Sequence, residues 1–188
     1  MGKVTQRLSR EDWILAGFRA LAAGGAGALR VEPVSRDLGT TKGSFYWHFA
    51  DAADWRGAML AYWQEAAFSG IVVALQAVPA GGPRLRALAQ IAATRGRDPA
   101  HGGTAAEPAL REWARYAPDV AEAVRRVDAG RVAFVAECLR DMHGDGRDCV
   151  VSARLFYAAY LGLQALHGAP DDDVAALFCL IALMTDDA

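Results

Sequence analysis

Cysteine is scarce in this chain: three in 188 residues, Cys138, Cys149 and Cys179, widely spaced and without a C-x-x-C pair. That excludes a disulfide framework and a zinc site of ordinary ligand spacing, and it suits a reducing cytoplasm. No charged segment followed by an apolar run opens the sequence, so a secretory leader is not expected. The longest apolar block, VAALFCLIALM from Val174 to Met184, has eleven residues, against the roughly 18 that suggest a membrane span. It reads as a buried helix, and no membrane partner is expected. Period-two alternation, the mark of a half-buried strand, is missing, as are internal repeats and low-complexity tracts.

Catalytic and cofactor signals are missing too. GTTKGS, from Gly39 to Ser44, holds a glycine, a lysine and a serine, but in the wrong order for a phosphate loop, which needs Gly-Lys-Ser or Gly-Lys-Thr after an earlier glycine and a strand. DMHGDGRDC gathers His143, Asp145, Asp148 and Cys149 without recognised metal-ligand spacing, so it reads as a turn and no metal is expected. No nucleophile with an orienting base, and no carboxylate pair in an apolar setting, is proposed by any spacing. The expectation is a protein that is not an enzyme and has no cofactor.

What is present is helix, and a lopsided charge. Residues 1 to 48 carry seven Lys or Arg against four Asp or Glu, whereas residues 49 to 188 carry thirteen against eighteen. A basic head therefore precedes an acidic body. Ser9 with Asp12 three residues on forms a capping-box pattern, and Trp13, Ile14, Gly17, Phe18 and Leu21 recur at helical spacing, which predicts a first helix over 9–23. A second is expected over 32–38, with Pro33 in its first turn and Gly39 closing it. Thr40 or Thr41 can cap a third running to about His48. From Asp51, with Asp54 in the capping-box position, a long helix is expected to about Ala77, then others near 83–94, 105–116, 119–142, 148–167 and 171–185. The fold class is all-α: a three-helix head over 1–50 and a helical body over 51–188.

The third helix closes on five successive rings, Phe45 to Phe49. On a wheel of about 100° per residue, Phe49 lies about 40° from Phe45 while Gly43 and Trp47 fall opposite. Phe45 and Phe49 are the expected buried side. Lys42 and Tyr46 then form one flank and Ser44 and His48 the other, so the outward surface gathers a cation, hydroxyls, an imidazole and an indole around a glycine. Such groups suit a DNA duplex: phosphates accept from Lys, Ser, Tyr and His, a helix N-terminus adds positive dipole, and glycine permits close approach. The major groove admits one helix.

The segment VEPVSRDLGTTKGSFYWHF, preceded by the first helix, resembles the DNA-binding head of TetR-family transcriptional regulators, over about residues 9 to 60. KGSFYWHF carries most of that likeness, and LREWARYAPDVAEAVRRVD resembles the regulatory body of some members more faintly. The resemblance implies a homodimer that reads a near-palindromic operator in double-stranded DNA, most directly a repressor released by a small-molecule effector not named by the sequence. Its residues map so that Thr41, Lys42, Gly43, Ser44 and Trp47 approach bases, Tyr46 and His48 approach phosphates, and Arg30 is a further phosphate candidate. One position departs: where the family usually has a lysine three residues after the last aromatic, this chain has Ala52, which implies one phosphate contact fewer. The alternative is a helical ligand-binding or interaction module with a vestigial head.

For the body, the helices at 148–167 and 171–185 are apolar nearly all round, and such helices must be covered on every side. Either the body encloses both completely, or they pair with the same two helices of a second protomer; the resemblance favours pairing, with Phe156, Leu163, Val174, Leu177, Phe178 and Ile181 as interface candidates. Trp63, Trp113, Phe134 and Tyr157, on central helices, are the candidates to line an effector pocket, with Tyr116, Tyr160, Gln164 and His167 behind them. Arg111, Arg115, Arg125 and Arg126 with Glu112, Glu122 and Asp128 read as surface pairs.

Overall fold

The computed structural model describes residues 8–95, 105–144, 148–166 and 170–185. Among them every regular element is a helix: α1 (Arg10–Gly24), a 3-10 turn (Ala26–Ala28), α2 (Val31–Asp37), α3 (Lys42–Phe45), α4 (Ala52–Gln64), a π-turn (Glu65–Ser69), α5 (Gly70–Leu75), α6 (Gly82–Arg95), α7 (Ala106–Trp113), α8 (Pro118–His143), α9 (Cys149–Leu166) and α10 (Pro170–Thr185). The all-α expectation holds. His167 and most of the loop RGRDPAHGG, like residues 145–147 of DMHGDGRDC, lie outside the described residues.

Helix ends follow local chemistry. Ser9 caps α1: the Asp12 amide donates to Ser9 Oγ at 3.1 Å, and the Ser9 amide donates to Asp12 Oδ2 at 2.7 Å. The Ser9 amide first, and then the Ser9 hydroxyl, which donates to Asp12 Oδ2 at 2.7 Å, hold the Asp12 carboxyl below the usual carboxylate range. α2 ends in a Schellman motif: the Gly39 amide donates to Arg36 O at 3.0 Å and the Thr40 amide to Ser35 O at 2.9 Å. Gly39 sits at φ +63°, where a Cβ would be strained. At α4, Asp51 Oδ1 accepts from the Ala53 and Asp54 amides, both at 2.8 Å.

Two of the helices expected from sequence differ in form. The third is one turn of α-helix, continued by tighter bonds such as His48 N to Phe45 O at 2.9 Å, and Thr41 stands at its N-cap without a side-chain capping bond. The long one runs unbroken from Ala52 to Leu75 but widens at the π-turn. It and Cys149–Leu166 are long and apolar enough to cross a membrane by length and composition alone, with mean hydropathies of 1.3 and 1.4.

The chain divides into two compact units, Met1–Trp63 with Arg97–Glu122, and Gln64–Gly96 with Ala123–Ala188. In the first, α1 packs with α2 and α7, and α2 with α3. Its buried residues include Trp13, Phe18, Leu21, Val34, Phe45, Trp55, Met59 and Leu110. Gly17 lets α4 come close, since a Cβ there would lie 2.5 Å from Met59 Sδ and 2.8 Å from Trp55 Cζ2. In the second unit, α6, α8, α9 and α10 enclose a core that includes Leu85, Leu139, Phe156, Leu177 and Ile181. Cys138 is sunk in that core, and burial pushes its thiol up to about 11.

Because the folded-state pKa of Asp12 is depressed, its contribution is fully present above the unfolded value of about 3.9 and is lost as pH falls through the folded value. Asp12→Asn should therefore cost about 0.5–1 kcal/mol at pH 7. The difference from wild type should shrink toward zero below about pH 4, as read by chemical denaturation across that range.

Candidate nucleic-acid interface

α3 is four residues long, too short to be stable by its own hydrogen bonds. Its shape is imposed by one side chain. Phe45 is fully buried, and its ring meets Trp13 at 5.3 Å and Trp55 at 5.7 Å edge-on, and Phe49 at 5.2 Å. Trp55 Nε1 donates to Trp13 O at 3.0 Å, which joins α4 to α1 behind that ring. Burial of a phenyl group and its ring pairs is worth several kcal/mol, comparable to the backbone order that a single turn requires.

With Phe45 and Phe49 turned inward, as the wheel expects, the rest of the segment is presented outward. Trp47 is 81% exposed and Tyr46 54%. Thr41, Lys42 and Gly43 are exposed beside them, and Ser44 and His48 are half-buried. A Cβ at Gly43 would touch only Thr41 Oγ1, at 3.6 Å, so the surface is open there. Arg30 is exposed at the N-cap of α2. All eight sequence candidates thus lie on α2, on α3 or immediately beside it, within one unit. Ala52 is half-buried in the first turn of α4.

Sequence reasoning passed over Arg10. Its guanidinium lies 4.8 Å from the centroid of the Phe49 ring, with Nη2 3.8 Å from Asp54 Oδ1. A cation at the very start of α1 signals no partner by spacing, because the ring and carboxylate it meets stand about forty positions away.

The body candidates separate. Trp63 and Trp113 belong to the first unit, Phe134 and Tyr157 to the second. Phe134 packs against the four-helix core, and buried Tyr157 donates to Asp128 Oδ1 at 2.7 Å and accepts from Arg131 Nη1 at 3.1 Å. Asp128, read from sequence as a surface partner, is half-buried and accepts from the Tyr157 hydroxyl. Arg115 with Glu112, 3.2 Å apart, does form a surface pair. Of the interface candidates, Phe156, Leu177 and Ile181 are buried in the unit's own core, Leu163 and Val174 are half-buried, and Phe178 is exposed. The large apolar side chains left bare on α9 and α10 are Val150, Val151, Leu155, Leu166, Phe178 and Leu183, with Leu155 60% and Leu183 71% exposed.

No protein-family model and no curated protein matches the sequence. Solved structures do match. A protein from Rhodococcus sp. described as a TetR-family transcriptional regulator superposes with a TM-score of 0.75 at 22% identity, over 94% of this chain and 99% of that one. A transcriptional regulator from Saccharomonospora viridis, in complex with choline, gives 0.75 at 20% identity over 92% and 94%. GusR from Salmonella enterica gives 0.70 at 20% identity over 98% and 99%. The chain has the fold of these regulators along nearly its whole length.

The division of labour between Phe45 and Trp47 has a direct consequence. Phe45→Ala should cost about 3–5 kcal/mol of stability, whereas Trp47→Ala should change it by no more than about 0.5 kcal/mol. Thermal and urea denaturation of the two variants decide this.

Proposed function

We propose that the chain is a homodimeric, sequence-specific DNA-binding transcriptional regulator of the cytoplasm, a repressor that a small-molecule effector releases from a near-palindromic operator. One observation carries the reading: on a fold shared with transcriptional regulators, a turn seated by Phe45 presents Lys42, Tyr46 and Trp47 to solvent around Gly43. Residues 1–50 are the DNA-binding head and 51–188 the regulatory and dimerisation body.

In this reading the α3 segment enters the major groove. Thr41, Lys42, Gly43, Ser44 and Trp47 approach base edges, and Arg30, Tyr46 and His48 approach phosphates. The basic excess of residues 1 to 48 supplies non-specific attraction, and the acidic body keeps the rest of the molecule off the duplex. The effector is taken by the body, with either Trp63 and Trp113 of the first unit or Phe134 and Tyr157 of the second as lining candidates. A neighbour of the same fold holding choline supports a small-molecule effector of some kind, not a particular one.

Exposed apolar side chains on α9 and α10 support the dimer. Val151, Leu155 and Leu166, which recur on one face of α9, form a bare apolar stripe, with Phe178 and Leu183 exposed on α10. Pairing with a second copy covers it and offers two recognition segments to half-sites about one helical turn, or a small multiple of it, apart. Leu155→Glu, which puts a charge on that stripe without touching the unit's core, should shift the protein to monomer in sedimentation velocity and lower operator affinity.

Selection of sites from a pool of random duplexes tests the function itself. A palindromic consensus bound at least about a thousandfold more tightly than bulk DNA supports it. Absence of enrichment would leave a ligand-binding module with a vestigial head. On the selected site, Lys42→Ala and Trp47→Ala should each cost about 1–3 kcal/mol of binding by fluorescence anisotropy, with the dimer intact.

A further inference from the structure

The helix that leaves the recognition segment at Ala52 carries a defect in its middle. Across Glu65–Ser69 the ladder widens, and the Gly70 amide donates to Glu65 O, five residues back. Such π-turns are rare, and they concentrate at functional sites. Two consecutive residues of α8 grip this one. Gly130 is the seat for Phe68: a Cβ there would come within 2.6 Å of the ring carbons Cε1 and Cζ. Arg131, beside it, donates both Nε and Nη2 to Ala67 O at 3.2 Å, so a side chain from another helix has entered the backbone ladder.

The guanidinium is itself aimed by α9. Its Nη1 donates to Tyr157 Oη at 3.1 Å, and the Tyr157 hydroxyl donates to Asp128 Oδ1 at 2.7 Å. It lies 5.8 Å from the ring centroids of both Tyr157 and Tyr160, which stack on one another at 6.0 Å. Gln164 Nε2 donates to Tyr160 Oη at 2.6 Å, which fixes the second ring. A planar cation held by two rings and a hydroxyl cannot swing freely, so the carbonyl it holds is held as well.

We propose that Arg131 is a positioning residue for DNA reading: it latches the Glu65–Ser69 segment in its π-turn, and loss of the latch lets the segment return to α-helical register. A one-residue change of register turns one end of the Ala52–Leu75 run by about 100° against the other, a two-state change and not a graded one. The N-terminal end of that run carries Trp55, the partner of Phe45. The coupling to DNA rests on the function proposed above, while the latch itself does not.

The test uses the full-length protein as wild type, Arg131→Met, Tyr157→Phe, a deletion of Ala66 that removes the extra residue of the π-turn, and the deletion combined with Arg131→Met. Amide hydrogen exchange without DNA should quicken at least tenfold over residues 66–71 in Arg131→Met and less in Tyr157→Phe, with the α6 and α10 amides unchanged. Operator affinity should fall at least tenfold in Arg131→Met, whereas the deletion, which closes the π-turn without turning its two ends against one another, should keep it within about twofold, and the combined variant should match the deletion. Unchanged exchange over 66–71, or a combined variant as weak as Arg131→Met alone, would overturn the latch. If Arg131→Met quickens exchange everywhere, the Tyr157→Phe protein decides alone. Wild type that selects no operator would sink the coupling together with the proposed function, and the exchange result would still judge the latch.

Discussion

The burial of Phe45 is the constraint on which the first unit is built. A four-residue helix has no stability of its own, yet this one is held at a fixed angle because its only buried side chain is enclosed by rings from α1, α4 and its own C-terminal turn. The same ring sets what faces outward: once Phe45 and Phe49 point in, Gly43 and Trp47 have nowhere to go but solvent. The hydrogen bond from Trp55 to the Trp13 carbonyl and the missing Cβ at Gly17 bring the enclosing helices close enough to do this.

The second unit solves a different problem. Its helices α9 and α10 have more apolar surface than one core can use. Phe156, Leu177 and Ile181 are spent on the core shared with α6 and α8, and a second stripe remains bare. A polar cluster of Asp128, Arg131, Tyr157, Tyr160 and Gln164 interrupts this apolar architecture, and its hydrogen bonds satisfy groups that burial would otherwise penalise. Its outward link is to the Ala67 carbonyl, the backbone of the π-turn.

Much of this was legible in the sequence, and the exceptions share a cause. Ser9 with Asp12, Gly39, and Asp51 announce helix ends because caps depend on residues within four positions. The buried and exposed sides of α3 followed from spacing alone. What spacing could not carry was anything set by partners distant along the chain. α3 is shorter than its pattern suggests because distant rings, and not a Thr41 capping bond, decide its geometry. The π-turn leaves no periodic trace, and Asp128 looked like a surface charge because Tyr157 stands 29 residues away. Phe156, Leu177 and Ile181 could not be told from Leu155 and Leu183 by hydropathy; what separates them is membership of the core that α6, α8, α9 and α10 share.

The seating of the recognition turn also bears on how such a protein diverges. Residues that secure the turn, Phe45, Phe49, Trp13 and Trp55, are not those that face outward, Lys42, Gly43, Tyr46 and Trp47. Selection for a new binding partner would act on the second set while purifying selection for a folded unit acts on the first. Gene duplicates of this chain are therefore free to drift apart in the face they present long before either copy loses its shape.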